Sequence, residues 1–396
     1  MTPITIRYAF APVRRSLATD QVTDLFGLAE AEPPHVIADH VELDIQPGDI
    51  VLFTGPSGSG KSSLLREAAK QLGAADVMAM ALPETPLVEA LPGPLTERLN
   101  RLGACGLSEA RLLLRTPREL SDGQRYRFRL ALALSSRAPF LMADEFAAYL
   151  DRTLAKVLSF NLRKLATRAG TGLLLATTHD DVAADLRPDL HVTCLGDGVI
   201  HATRNATAKD PAPISFANEL HIAEGTAADW PPFAQWHYRS HRINFVRRVV
   251  LLTHGETPVG ICVFTSPAAS LTLRSQFFGL RGRRTRVSLT ALNQQLWLLS
   301  RVVLHPTYRG AGIAARFVRQ ACETCPVPWV ETLTAMGHVT PFFEAAGFQK
   351  VGVVQPVRDG HYAVRGAKCT AETAAKSRHA SPVYYVFRNQ SHGDAP

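Results

Sequence analysis

What this sequence has little of narrows the field first. None of its apolar runs is long: "GLLLATT" and "RVVLLT" are strand-length and fall far short of the roughly 18 residues that a membrane-crossing helix needs. The opening "MTPITIRYAFAPVRRS" lacks the apolar stretch and small-residue cleavage site of a secretory signal, so a cytoplasmic chain is expected. Cysteine is scarce, with six scattered over 396 residues, and in that compartment all are expected to stay reduced. Cys322 and Cys325 have C-x-x-C spacing, yet no second pair and no histidine at zinc-finger spacing completes a metal site. Internal repeats and long low-complexity tracts are absent as well.

The charge is lopsided: 43 Lys and Arg against 35 Asp and Glu give a formal +8 and a pI near 9.3. That balance fits an anionic partner, whether nucleotide, coenzyme A or nucleic acid, and by itself does not choose among them. The length allows two or three domains, each with its own core. "TRNATAKDPAPIS", residues 203–215, is polar, carries two prolines and has no apolar period, which marks a linker. The expected division is a first α/β domain over 1–205, a linker over 206–215, a second α/β domain over 216–390 and a tail over 391–396.

The first block contains "DIVLFTGPSGSGKSSLLREAAKQL", an apolar strand, a glycine-rich turn and a helix. Gly55, Gly60, Lys61 and Ser62 occupy the fixed places of G-x-x-x-x-G-K-[ST]. In such a loop, successive N–H groups and the helix N-terminus wrap phosphates, Lys61 reaches the terminal ones and Ser62 ligates magnesium. "PFLMADEFAAYLDR" follows as a buried-strand pattern ending in Asp144 and Glu145. One carboxylate there can hold the metal while the next polarises an attacking water. His179 ends another apolar strand, "GLLLATTHDD", placed to meet a terminal phosphate.

In this order the motifs resemble an ABC-type ATPase domain. The resemblance implies ATP and Mg2+ as cofactors and a Walker A loop over Gly55, Pro56, Ser57, Gly58, Ser59, Gly60, Lys61, Ser62 and Ser63. It also implies Asp144 as a metal carboxylate, Glu145 as catalytic base and His179 as the switch histidine. "LSDGQ", with Ser121, Gly123 and Gln124, is similar to the signature motif, and "YLD", ending at Asp151, to the D-loop. ATP is then expected between two copies, which makes the chain a homodimer through this domain. Two departures count against a permease subunit. No glutamine stands between residues 72 and 123, where the family has its Q-loop, and Lys61 lies only 60 positions before Ser121. Phe26 is the candidate adenine-stacking aromatic.

The second block contains "LLSRVVLHPTYRGAGIAARFVRQA". "RGAGIA" has no lysine or serine after its last glycine, so it is no ATPase loop. Exposed N–H groups at a helix start can still hold a pyrophosphate whose ligand brings its own chemistry. The stretch closely resembles the acetyl-CoA-binding motif of GNAT acyltransferases. The resemblance implies acyl-CoA bound by Val303, Leu304, Arg309, Gly310, Ala311, Gly312, Ile313 and Ala314. "TPFFEAAGF" is similar to that family's ending, although Phe343 stands where many members have a tyrosine that protonates the leaving thiolate, which phenylalanine cannot do. Glu331 is the candidate base if burial raises its pKa; a solvated strand-end carboxylate is the other reading. His237 and Tyr238 are the candidate acceptor-site residues.

Taken together, the chain resembles ABC-type ATPases fused to a predicted acetyltransferase domain. The expected function is ATP-gated transfer of an acyl group, acetyl first, from acyl-CoA to an amine. "HYR" and "SRVV" are similar to features of Mom-type DNA-modifying proteins. "RSQFFGLRGRRTR", residues 274–286, holds five arginines and no acid, so nucleic acid stands as an open acceptor. The alternative is an ABC ATPase whose second domain binds a ligand or nucleic acid without catalysis.

Overall fold

The computed structural model describes residues 2–9, 14–28, 34–237, 242–282, 285–354 and 381–391. They form two compact units. The first comprises Met1–Pro92, Ala104–Leu107 and Leu112–Ile214; the second comprises Gly93–Gly103, Ser108–Arg111 and Ser215–Pro396.

In the first unit, β1 (Ile4–Tyr8) and β2 (His35–Val41) make a separate antiparallel pair. The main sheet holds β3 (Ile50–Thr54), β4 (Ala75–Asp76), β5 (Phe140–Ala143), β6 (Gly172–Ala176), β7 (Leu190–Gly196) and β8 (Val199–Arg204), in the order β4-β5-β6-β3-β7-β8. All neighbours run parallel except β7 and β8. Parallel strands covered on both faces read as unbroken apolar runs. "IVLFT" and "GLLLA" are accordingly buried at every residue. The Lys61–Leu72 helix turns Leu64, Leu65, Ala68 and Ala69 inward at helical spacing and ends at Gly73 in the left-handed conformation, a common stop. Because β5, β6 and β3 are neighbours and point the same way, the loops after them emerge along one edge, the usual place for a ligand in an open α/β sheet.

The second unit is a seven-stranded sheet of β9 (Leu220–Gly225), β10 (Val246–His254), β11 (Thr257–Thr265), β12 (Leu296–Leu304), β13 (Trp329–Thr334), β14 (Gln349–Val353) and β15 (Val383–Arg388). Its order is β14-β15-β13-β12-β11-β10-β9. Strands β9 to β12 form an antiparallel meander, cored by Trp230, Phe233, Val249, Leu251, Ile261, Val263 and Val303. One pair is parallel: β12 meets β13 only from Leu296↔Trp329 to Leu298↔Glu331, while β12 runs on to Leu304 and β13 to Thr334. Against β11, the register slips between Arg301↔Val263 and Leu299↔Phe264, so Ser300 is an extra residue, a bulge that twists the strand locally.

Two helices, Thr272–Phe277 and Arg286–Gln295, are inserted between β11 and β12. This changes the reading of the arginine-rich stretch. Arg274 has no exposed surface and therefore cannot track a phosphate backbone; Arg281 and Arg286 are exposed, and Arg283 and Arg284 lie outside the described residues.

Candidate active site

The glycine-rich loop of the first unit leaves β3 at Gly55. Its backbone there has φ 135°, and a Cβ would stand 2.0 Å from the Cys194 carbonyl oxygen. Only glycine fits that close approach. The loop enters its helix at Lys61 with no side-chain cap, which leaves an anion-binding end. Lys61 is buried, its ammonium donating to the Pro56 carbonyl at 2.7 Å. Ser59 Oγ is buried with no hydrogen-bond partner among the described residues. Pro56, Ser57 and Gly58 are exposed, and Gly60 and Ser63 half-buried. A buried hydroxyl lacking a partner costs free energy until something accepts from it or donates to it, and a phosphate meets that need.

Asp144 leaves β5 beside this loop. Its Oδ1 accepts the Ser62 hydroxyl at 2.9 Å and the Glu145 N–H at 3.1 Å, and its Oδ2 accepts Arg66 Nη2 at 3.0 Å. A serine hydroxyl beside a carboxylate, as in Ser62 and Asp144, is the kind of oxygen pair magnesium takes. Glu145, exposed, sits at φ 52° and Ala147 at φ 60°. Non-glycine residues held there cost on the order of 1–3 kcal/mol each and cluster at functional turns. The Phe146 N–H donates to the Ala176 carbonyl at 2.7 Å, tying this turn to β6. His179, also exposed, follows β6, its own N–H resting on Thr177 Oγ1 at 3.2 Å.

Ser121 and Gln124 cap the Asp122–Ala133 helix reciprocally: Ser121 Oγ accepts the Gln124 N–H at 3.4 Å and Gln124 Oε1 accepts the Ser121 N–H at 3.0 Å. Gly123 lies so close to Tyr149 that a Cβ would meet its carbonyl at 3.1 Å. Asp151 caps the Arg152–Ala169 helix through Leu154 N–H at 2.9 Å. Sequence reasoning missed Tyr8. It ends β1, is half exposed, and its hydroxyl lies 3.0 Å from Ser63 Oγ on the phosphate loop. Its signal was an aromatic closing the first strand. Phe26 is exposed at the end of the Leu17–Phe26 helix.

In the second unit, the "HPTYRGAGI" loop begins where β12 ends. Pro306–Tyr308 is a short 3-10 turn, Gly310 and Gly312 have φ 89° and 77°, and the Ala314–Glu323 helix starts without a side-chain cap. Val303 and Leu304 are buried in the sheet, and Ala311 and Ile313 are buried in the loop. Arg309 is turned away from an external ligand: Nε donates to the Leu304 carbonyl at 3.0 Å, Nη1 to Ser108 at 3.3 Å and Nη2 to Trp236 at 3.3 Å. Burial lowers its pKa, opposed by the charge of Glu109.

Glu331 corrects an expectation. It is fully buried, with Arg274 Nη2 on Oε1 at 2.5 Å, and Arg274 Nε and the Tyr384 hydroxyl on Oε2 at 2.8 and 2.9 Å. A carboxylate buried like this, with both oxygens occupied, is out of reach of an incoming amine. Phe343 is buried too, stacked 5.6 Å from Tyr385. His237 is half-buried, edge-on to Trp230 at 5.8 Å; Tyr238 lies outside the described residues. Burial pushes the Cys325 thiol to about 12 and those of Cys262 and Cys322 well above their ordinary value, so these are protonated packing groups.

A phosphate loop with an adjoining serine–aspartate pair, on the edge of a parallel sheet, defines a nucleoside triphosphatase. No family model matches the chain. Over 237 residues it is 30% identical to the aliphatic sulfonates import ATP-binding protein SsuB 2 of Paracoccus denitrificans, covering 55% of this chain and 95% of that protein. It is 28% identical over 186 residues to the maltose/maltodextrin import ATP-binding protein MalK of Escherichia coli K12, covering 38% of this chain and about half (49%) of that one. Among solved structures, the dimeric post-hydrolysis state of the ATP-binding cassette MJ0796 bound to ADP and Pi covers 51% of this chain and 97% of that chain, at 22% identity and a TM-score of 0.37. CbiO1 of Clostridium perfringens covers 43% and 83%, at 18% identity and 0.35; the assignment rests on the sequence matches. The chain belongs to the ATP-binding cassette ATPases, over about half its length, and is an enzyme of ATP hydrolysis that uses ATP and Mg2+. Among the described residues no helix is long and apolar enough to cross a membrane.

Proposed function

We propose that this cassette works as an ATP-sandwich homodimer joined to an acyltransferase. In the cassette, the Lys61 ammonium and the N–H groups of the Gly55 to Ser63 loop, Pro56 having none, hold the phosphates, Ser62 and Asp144 hold magnesium, and Tyr8 rather than Phe26 offers its ring to the base. Glu145 draws the proton from the attacking water, with His179 at the terminal phosphate. Ser121, Gly123, Gln124 and Asp151 of a second copy complete the site. The import roles named for the relatives are not carried over, since the Q-loop glutamine is missing.

For the second unit, the reading is transfer of an acyl group from acyl-CoA to an amine. The observation that carries it is the parting of β12 from β13 beyond Leu298↔Glu331, directly followed by a loop of two left-handed glycines and an uncapped helix N-terminus. The gap between the strands suits an extended pantetheine arm along β12, and the loop N–H groups from Gly310 to Ala314 suit a pyrophosphate. Arg309 shapes that loop. ATP-driven closure gates the acceptor, for which nucleic acid is one class. A second reading, a binding module without catalysis, is favoured by the occupied Glu331 and by Phe343. The deciding experiment follows labelled acetyl-CoA onto DNA, RNA and polyamines with and without ATP. Label on an amine acceptor supports transfer. Acetyl-CoA bound without label on any of these supports the module, and no acetyl-CoA binding overturns transfer and leaves only a module for another ligand or nucleic acid.

A further inference from the structure

Arg66 stands one helical turn beyond Ser62 on the Lys61–Leu72 helix, so the two side chains share a face. Both reach the same carboxylate, and they divide its oxygens. Ser62 and the Glu145 N–H take Oδ1 of Asp144, and Arg66 Nη2 takes Oδ2 at 3.0 Å. The terminal torsion of aspartate is broad, so nothing intrinsic decides the angle at which the carboxylate plane meets Ser62. A cation fixed on one oxygen does decide it. The Arg66 side chain is 68% exposed and that of Asp144 only 22%, which puts the guanidinium on the solvent side of the carboxylate and the serine on the inner side.

We propose that Arg66 is a positioning residue for the magnesium site: by holding one oxygen, it sets the plane of the Asp144 carboxylate so that the other oxygen faces Ser62. The inference rests on reading Ser62 and Asp144 as the magnesium pair. A competing role, in which Arg66 blocks the metal until displaced, predicts the opposite sign, because Arg66 would then have to leave the oxygen that the metal needs. The oxygen it holds is the one that Ser62 does not touch.

The probe is Mn2+ binding to the full chain with ADP, read by electron paramagnetic resonance, beside metal-free ADP binding in a chelator. Groups that orient a metal ligand typically change affinity 10- to 100-fold; for an exposed guanidinium the low end, about tenfold, is expected. Arg66→Ala should weaken Mn2+ about tenfold while leaving metal-free ADP affinity and melting temperature as in the wild type. Arg66→Lys should recover part of the loss, since it restores charge without the planar fork. The gap between wild type and Arg66→Ala should narrow in 1 M salt, where screening acts within about 3 Å. Mn2+ bound by Arg66→Ala as tightly as by wild type, or more tightly, overturns the proposal provided that Asp144→Asn is weakened. If Asp144→Asn binds Mn2+ normally, the metal reading of Asp144 fails first and takes the proposal with it.

Discussion

Arg274 and Glu331, neither with any surface in solvent, meet through two hydrogen bonds of 2.5 and 2.8 Å where β12 and β13 part company. Breaking such a pair from one side leaves a buried charge without its counter-charge, at a cost of roughly 3–5 kcal/mol, whereas replacing both partners by apolar groups of similar volume is often neutral. Glu331→Ala should therefore destabilise the second unit severely in urea denaturation, and Arg274→Met with Glu331→Leu should recover most of the loss. Equal stability of the single variant and wild type would show that the pair does not hold the insertion to the sheet.

Tyr8 and Phe26 make opposite predictions for nucleotide binding. Stacking of a base on an aromatic ring is worth about 1–3 kcal/mol by alanine substitution. Tyr8→Ala should weaken ADP by a factor in the range of roughly 5 to 150, by the same conversion, and Phe26→Ala should leave it unchanged. Fluorescence titration with a labelled nucleotide separates them.

Glu145→Gln keeps the shape and removes the base. Turnover should fall by about 10²–10⁴, the usual share of a general base, while ATP still binds. The sandwich should then accumulate as a dimer in size-exclusion chromatography with ATP. A monomer under those conditions would argue against assembly around ATP.

Acid should act on Asp189. Burial would raise its pKa, but Arg163 at 2.7 Å, the Ile50 N–H at 2.8 Å and Lys209 together hold the carboxyl below its ordinary value. A depressed carboxylate contributes stability above its unfolded pKa, near 3.9, and that contribution is lost as pH falls through the lower folded value. Urea midpoints between pH 7 and pH 3 should drop more steeply for wild type than for Asp189→Asn.

Gly312 sits at φ 77°, where an alanine costs about 1–2 kcal/mol. Gly312→Ala should weaken acetyl-CoA in calorimetry without altering ATP hydrolysis.

The first unit was readable because its chemistry is written locally. The loop, the strand end at Asp144 and the cap at Ser121 each lie within a few consecutive residues whose types are dictated by backbone geometry. Tyr8 and Arg66 were not: each acquires its role from a partner far along the chain, Ser63 or Asp144, that only the fold brings near. Glu331 misled for the same reason. A carboxylate at a strand end looks solvated or reactive in one dimension, and its neighbour Arg274, 57 positions away, sits in a stretch that reads as a basic surface. The division into units differs from a cut at the linker too, because Gly93–Gly103 and Ser108–Arg111 group with the second body, a matter of packing that composition does not register.

The strand order of the second sheet also has a consequence for synthesis. β15 lies between β13 and β14, so the two strands made before it cannot be joined until Val383–Arg388 arrives, and Asn389 then locks onto the Cys322, Cys325 and Val327 carbonyls. On the ribosome the cassette can close while the second sheet still presents two bare strand edges, and such edges recruit other chains. A nascent chain stalled before residue 383 should hold ATP yet aggregate or recruit chaperones, and release of that last strand should end the aggregation and the chaperone capture.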